Sequence, residues 1–265
     1  MGDAATQAHF ETHGWCVFRN AVDPETLAAI QQGFDAAWRD ATGGQGVSAA
    51  LADATGTAQI VGLWARYEAV RRYLFEGGLG QRVASLLGVR AVRLLQDAFL
   101  IKPPGARGTL AWHQDYRYVG YLERPVAASV RLALSEETEQ NACLWVVGGS
   151  HRWGEVAALD AFAPVVTGLD EVLDEEQRAA LVRDAHPVPL APGDISVHHC
   201  FTVHRSGANG TTAPRKTLVA HVLDADGRVV EDRLPEHVRG HFHLDAQGRL
   251  PDAQFPTLVM PARSL

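Results

Sequence analysis

Leu27, Ile30, Phe34 and Trp38 recur at near-helical spacing, and Asp23 and Pro24 supply a cap and a first-turn proline, so the pattern predicts a helix with one inward face. The Gly-rich stretch 41–58 has no strong period and reads as a loop or lid-like segment, with more helix around Leu63–Phe75 and Leu79–Leu87. From Ala91 the texture changes. AVRLLQDAFLI, Val126–Leu134 and CLWVV are short apolar runs broken by turn residues such as KPPGARG and GGS, which predicts strands. Residues 155–185 read as helical with an acidic surface, after which PLAPGDISVHH and RKTLVAHVL return to strand character. The whole predicts an antiparallel barrel or sandwich, spanning roughly 91–225, behind a helical N-terminal layer, with one helical insertion. No repeat or linker interrupts the 265 residues, so a single domain over 1–265 is expected.

An apolar fraction of 46% with 21% charged residues is that of a folded globular chain. The formal net charge of −7, with no clustered Lys and Arg, argues against nucleic acid and anionic membranes as partners and leaves a small molecule. No apolar run approaches the ~18 residues of a membrane span, and MGDAATQAHFETHG lacks a secretory pattern, so a cytoplasmic setting is expected. Cys16, Cys143 and Cys200 are odd in number and widely spaced, which fits reduced thiols in a cytosol and not a disulfide framework. The sequence leaves the oligomeric state open.

Candidate chemistry starts in TLAWHQDYRYVGY. On an extended strand His113 and Asp115 point to the same face and can reach one ion. A bare His-x-Asp pair is commonplace, but PGDISVHHCFTVHRSGANGTTAPRKTL adds His204 after a strand and Arg215 on the next one. Two histidines and one carboxylate form a metal face that leaves positions on Fe(II) open for a chelating co-substrate and O2. A buried Arg215 has the fork geometry to hold the far carboxylate of a dicarboxylic co-substrate. The same ligands also suit Zn2+, as in a hydrolase or lyase, and a binding protein that keeps the metal-site scaffold without turnover is a further alternative. A broken triad or missing arginine would mark the latter, and neither occurs here.

HFETHGWCVFRNAVDPETL, QDAFLIKPPGARGTLAWHQD, LALSEETEQNACLWVVGGSHRWG and PGDISVHHCFTVHRSGANGTTAPRKTL, in that order and spacing, resemble the phytanoyl-CoA dioxygenase (PhyH-like) family of iron(II)/2-oxoglutarate oxygenases. The resemblance covers nearly the whole chain. It implies a mainly β fold with flanking helices around a double-stranded β-helix (jelly-roll, cupin-like) core, with the triad at its open mouth and Arg215 deeper. It implies that His113, Asp115 and His204 hold iron, that Arg215 and Ser206 hold the C5 carboxylate of 2-oxoglutarate, and that Gln96 and Lys102 are further co-substrate contacts. The implied reaction consumes O2 and 2-oxoglutarate, releases succinate and CO2, and hydroxylates or otherwise oxidises a C–H bond. Related halogenases carry a small residue at the place of Asp115, so a carboxylate here implies oxidation in preference to halogenation.

Two positions depart from the family pattern. Where many relatives read W-x-A-L, this chain has Arg131, so a cation replaces an aromatic neighbour of the co-substrate; VVGGSH replaces a Pro-Gly-Ser-His turn, a change that Gly148 can absorb. Trp112, Tyr116, Arg117 and Tyr118 flank the first ligands and are candidate substrate contacts, as is Tyr121; aromatic residues on barrel strands also serve packing. Of His198 and His199 one should face the core and the other outward, and His151 and His221 read as hydrogen-bonded structural residues. No basic cluster suits a coenzyme A phosphate tail, which points to a small polar metabolite or biosynthetic intermediate as substrate.

Overall fold

The computed structural model describes residues 4–44, 53, 56–156, 159, 172–236 and 239–258. Helix α1 (Ala4–His13) leads into β1 (Trp15–Phe18), and α2 (Pro24–Ala41) and β2 (Ala58–Val61) follow. Next come α3 (Glu68–Phe75), α4 (Leu79–Leu87), β3 (Val92–Lys102), β4 (Leu110–His113), β5 (Ala127–Ala133) and β6 (Leu144–Val147). The chain continues through α5 (Glu175–Arg183), β7 (Ala185–Val188), β8 (Ile195–His199), β9 (His204–Ser206) and β10 (Arg215–Asp224). Asp23 caps α2 by accepting from the Thr26 amide, Pro24 opens the helix, and Ile30, Phe34 and Trp38 are buried, as the spacing predicts.

The strands form two antiparallel sheets, ordered β1-β8-β5-β10-β3-β2 and β4-β9-β6-β7, which is the jelly-roll core. Side-chain alternation divides the larger sheet's two faces. Val130 and Leu132 of β5, Ile195 and Val197 of β8, Leu218 and Ala220 of β10, and Phe99 of β3 join the helices in one apolar core. The residues between them, Ser129, Arg131, Ser196, His198, Thr217 and His221, turn to the other face. These polar side chains therefore face the smaller sheet and line the space between the sheets together with Ala98, Leu100, Leu144 and Val219, whereas Asp97 and Lys216 stay on the helix side.

The first third is less purely helical than its composition suggests. β1 and β2 are four-residue edge strands whose structure comes from their ladders with β8 and β3, too short to leave a period in the sequence. Residue 58, read as the end of a loop, begins β2. Helix α3 starts at Glu68 because Leu63 and Trp64 instead donate their amides to the buried Asp97 carboxylate at 3.0 and 2.7 Å. Within the predicted insertion, α5 is helical, while residues 157–158 and 160–171 lie outside the described residues. Most of the 41–58 stretch does too. In the GGS turn, Gly149 takes the left-handed conformation (φ 82°), whereas Gly148 does not; a Cβ on Gly148 would lie 3.2 Å from the His13 ring. No described helix is long and apolar enough to cross a membrane.

Phe99 joins the sheet to the helical layer: fully buried, its ring lies 5.0 Å from Phe34 and 6.0 Å from Tyr67. Phe99→Ala should cost about 3–5 kcal/mol of stability, read as a lower urea midpoint with an unchanged slope.

Candidate active site

His113 ends β4, His204 begins β9, and the two are direct partners across the ladder. Asp115 lies beyond the strand, at the start of a single 3-10 turn, and not on it as expected. The same-face spacing survives because Gln114 between them is extended (φ −120°, ψ 138°). The Gln114 side chain is pinned on the opposite side, donating to the Gly154 and Phe201 carbonyls and accepting from the Val156 amide, each at 2.8 Å.

Asp115 Oδ1 stands 3.6 Å from His113 Nε2 and 3.5 Å from His204 Nε2. One ligand atom from each residue lies within 4.8 Å of the other two, and all three side chains are buried. Each imidazole is oriented from behind. His113 Nδ1 meets the Ala111 carbonyl at 2.8 Å and His204 Nδ1 the Thr202 carbonyl at 2.9 Å, so each Nδ1 carries the proton and each Nε2 turns a lone pair to the common point. Burial depresses the pKa of both rings and keeps them neutral, as metal ligands must be. Burial alone would raise the Asp115 carboxyl, but the facing His204 imidazole and the His198 hydrogen bond outweigh it and hold the group well below the usual range. These donors fit a divalent transition metal bound on one face.

The other oxygen of Asp115 belongs to the wall. Oδ2 accepts from Ser129 Oγ at 2.5 Å and from His198 Nε2 at 3.1 Å. Ser129 in turn lies 2.8 Å from His221 Nδ1. Strand register makes this row: Ser129 is the direct partner of His198 on one side and His221 on the other, and His221 that of Gln96. A β-bulge falls just past His221, where β3 inserts Leu95 without a partner.

Arg215 lies deeper, paired in register with Lys102. Its Nη1 donates to the Ala142 carbonyl and, at 3.2 Å, to Ser206 Oγ, while Nε has no partner. Ala142 takes a left-handed conformation (φ 74°) where glycine is usual, which presents that carbonyl. Burial brings Arg215 down to about 10, Glu137 opposing the shift and Arg131 adding to it. Lys102 is fully buried, donates to the Gly207 carbonyl at 2.5 Å, and is brought down to about 7 by burial and by Arg215. Arg131 Nη2 donates to Glu137 at 3.0 Å, and the other Glu137 oxygen accepts from Thr217 Oγ1 at 2.6 Å.

A cavity of 310 Å³ unites these groups: His113, Asp115 and His204 line it together with Arg215, Ser206, Arg131, Gln96, Ser129, His198 and His221. Of the candidate substrate contacts only Tyr118 lines it, about half exposed. Trp112 stacks under the Arg205 guanidinium (4.9 Å), Tyr116 stacks on Phe201 (4.7 Å), and Arg117 is exposed, so these three lie off the cavity. Tyr121 packs in a separate apolar cluster, and His151 contacts the Glu11 carbonyl beside α1. Ser129 and Glu137 are functional candidates that sequence reasoning missed; a serine and an arginine at alternate positions of the otherwise apolar AASVRLA were the available signal.

The sequence matches the family model of phytanoyl-CoA dioxygenase (PhyH) over residues 10–217. Phytanoyl-CoA dioxygenase 1 of Oryza sativa subsp. japonica is 28% identical over 151 residues, covering 56% of this chain and 52% of that protein. The chain thus spans about half the length of the curated relatives it matches. Among solved structures, the non-heme alpha ketoglutarate dependent carbocyclase SnoK from nogalamycin biosynthesis superposes with a TM-score of 0.73 at 18% identity, covering 97% of this chain and 96% of SnoK. The epimerase SnoN, in complex with Fe3+, alpha ketoglutarate and nogalamycin RO, superposes with a TM-score of 0.72 at 21% identity, covering 96% and 98%.

Ser129→Ala should leave Asp115 Oδ2 with one donor and weaken metal binding about 10- to 100-fold, measured by competition of Co(II) with a chromophoric chelator. Unchanged affinity would show that Ser129 does not hold the ligand.

Proposed function

The chain belongs to the phytanoyl-CoA dioxygenase family, and from that premise we propose that it is an Fe(II)- and 2-oxoglutarate-dependent oxygenase hydroxylating an unactivated C–H bond of a small polar metabolite or natural-product intermediate. The observation that carries the reading is that the His113–Asp115–His204 face and the Arg215 guanidinium line one cavity. The iron, with 2-oxoglutarate and O2, supplies an oxidant able to take hydrogen from such a bond, with succinate and CO2 as co-products.

The protein's own residues bind, orient and exclude water. His113, Asp115 and His204 would hold the ion and leave room beside it for small ligands. Asp115 would offer a metal Oδ1, because Ser129 and His198 occupy Oδ2. Arg215 and Ser206 receive the C5 carboxylate at the cavity floor, where a charge-assisted bond is strong because both groups are buried. Arg131 and Lys102 add positive charge nearby, and Glu137 limits its excess. Gln96, on the wall by His221, stands nearer the triad than the floor and is assigned to substrate or co-substrate contact. The buried, reduced cysteines suit a cytoplasmic setting. Relatives of this fold include a protein named as an epimerase and one named as a carbocyclase, so the oxidation outcome is set by substrate placement above a common site.

Anaerobic addition of Fe(II) and 2-oxoglutarate should produce the weak visible charge-transfer band of the chelate. Arg215→Ala should raise the 2-oxoglutarate concentration needed for it about 10- to 100-fold, as expected for losing a charged hydrogen bond, and Asp115→Ala should abolish succinate release. Iron bound without any band would favour zinc chemistry or a non-catalytic role.

Lys102, buried behind Arg215 and outside the cavity lining, is charged below pH about 7 and neutral above it, so the surroundings of Arg215 lose a positive charge as pH rises. 2-Oxoglutarate should bind more tightly at pH 6 than at pH 8 in calorimetric titrations, and Lys102→Met should flatten that dependence.

A further inference from the structure

Beside Asp115 the cavity wall carries an imidazole that neither the metal face nor the cationic floor uses. His221 Nδ1 lies 2.8 Å from Ser129 Oγ, and that oxygen lies 2.5 Å from Asp115 Oδ2. An ionised carboxylate only accepts, and a serine hydroxyl has one proton to give. The Ser129 proton therefore points to Asp115, and Ser129 accepts from His221 Nδ1–H. Burial lowers the His221 pKa and keeps the ring neutral, which leaves Nε2 with a lone pair and no proton.

No described residue donates to that nitrogen, and it is not among the buried polar atoms sealed from the cavity that His221 lines. His198 differs: its Nε2 donates to Asp115, and its free Nδ1 is sealed in the wall. Of the two imidazoles flanking Asp115, only His221 offers an acceptor to an incoming molecule. Gln96 is its partner across the ladder, and the Tyr118 ring, at 6.2 Å, frames the approach.

We infer that His221 Nε2 is a specificity-determining acceptor, which selects substrates carrying a hydroxyl or N–H donor and holds that donor beside the metal face. The inference rests on the iron and 2-oxoglutarate reading only for what is done to the substrate; the acceptor itself is fixed by Ser129 and Asp115. A ring that merely props Ser129 would have the same contacts but no preference among ligands, and that difference is measurable.

The tautomer is read first, from long-range proton–nitrogen correlation NMR of the full-length, metal-free protein labelled at histidine, with His221→Phe for assignment. The expected pattern is a protonated Nδ1 and a bare Nε2, with Ser129→Ala losing this single tautomer. Ligand-observed NMR then compares cyclopentanol with methoxycyclopentane and 2-pyrrolidinone with N-methylpyrrolidinone, on the metal-free protein and on protein loaded with Zn2+ and 2-oxoglutarate. The donor-bearing member of each pair should bind about tenfold tighter, one neutral hydrogen bond's worth, and the preference should vanish in His221→Phe. A protonated Nε2, equal binding within the pairs, or no binding of the donor-bearing members would overturn the assignment. If metal or 2-oxoglutarate does not bind while the tautomer and the preference hold, the iron and 2-oxoglutarate reading fails and the acceptor stands.

Discussion

A carboxylate taken out of water must be compensated from every side, and the buried Asp115 sets that demand for the whole inner wall. Its two oxygens face different worlds. Oδ1 looks at two imidazole lone pairs, an arrangement that makes sense only with a cation between them, while Oδ2 is satisfied by Ser129 and His198. The division fixes which oxygen a metal can take, and it passes the constraint on to His221 through the single proton of a serine.

Alternation in the larger sheet lets a small protein hold so many polar groups inside. The central strands give one set of alternate residues to the helices and the other, Ser129, Arg131, His198 and His221 among them, to the cavity, so the helical layer and the site are two faces of the same strands. The helices stabilise the site without touching it. Phe34 of α2 and Tyr67, just before α3, pack on Phe99, and the strand it belongs to is joined through β10 and β5 to Ser129, Arg131 and His221 on the far side.

Each half of the site was legible as a short motif, His113 and Asp115 being one extended residue apart and His204 and Arg215 eleven positions apart, and the ligand chemistry with the resemblance joined two halves that lie about ninety positions apart. An antiparallel barrel or sandwich was legible from strand texture, and the jelly-roll class from the resemblance that those motifs carried. The row His198–Ser129–His221 was not, because it depends on a register among three strands whose residues lie up to 92 positions apart. For the same reason Trp112 and Tyr116 read as pocket residues from their proximity to His113, although alternation and the turn at Asp115 send them elsewhere. The edge strands β1 and β2 escaped detection since only their partners make them strands.

Arg131 and Glu137 sit six residues apart and close on one another inside the protein, with Thr217 completing the carboxylate. Replacing either alone leaves an unmatched buried charge, which costs about 3–5 kcal/mol. The aromatic residue that the family resemblance leads one to expect at the place of Arg131 would need no counter-ion. Passage between the two kinds of pocket therefore requires a simultaneous exchange at both codons: a library varying one codon at a time would score each position as immutable, while a paired library would find them free to move together.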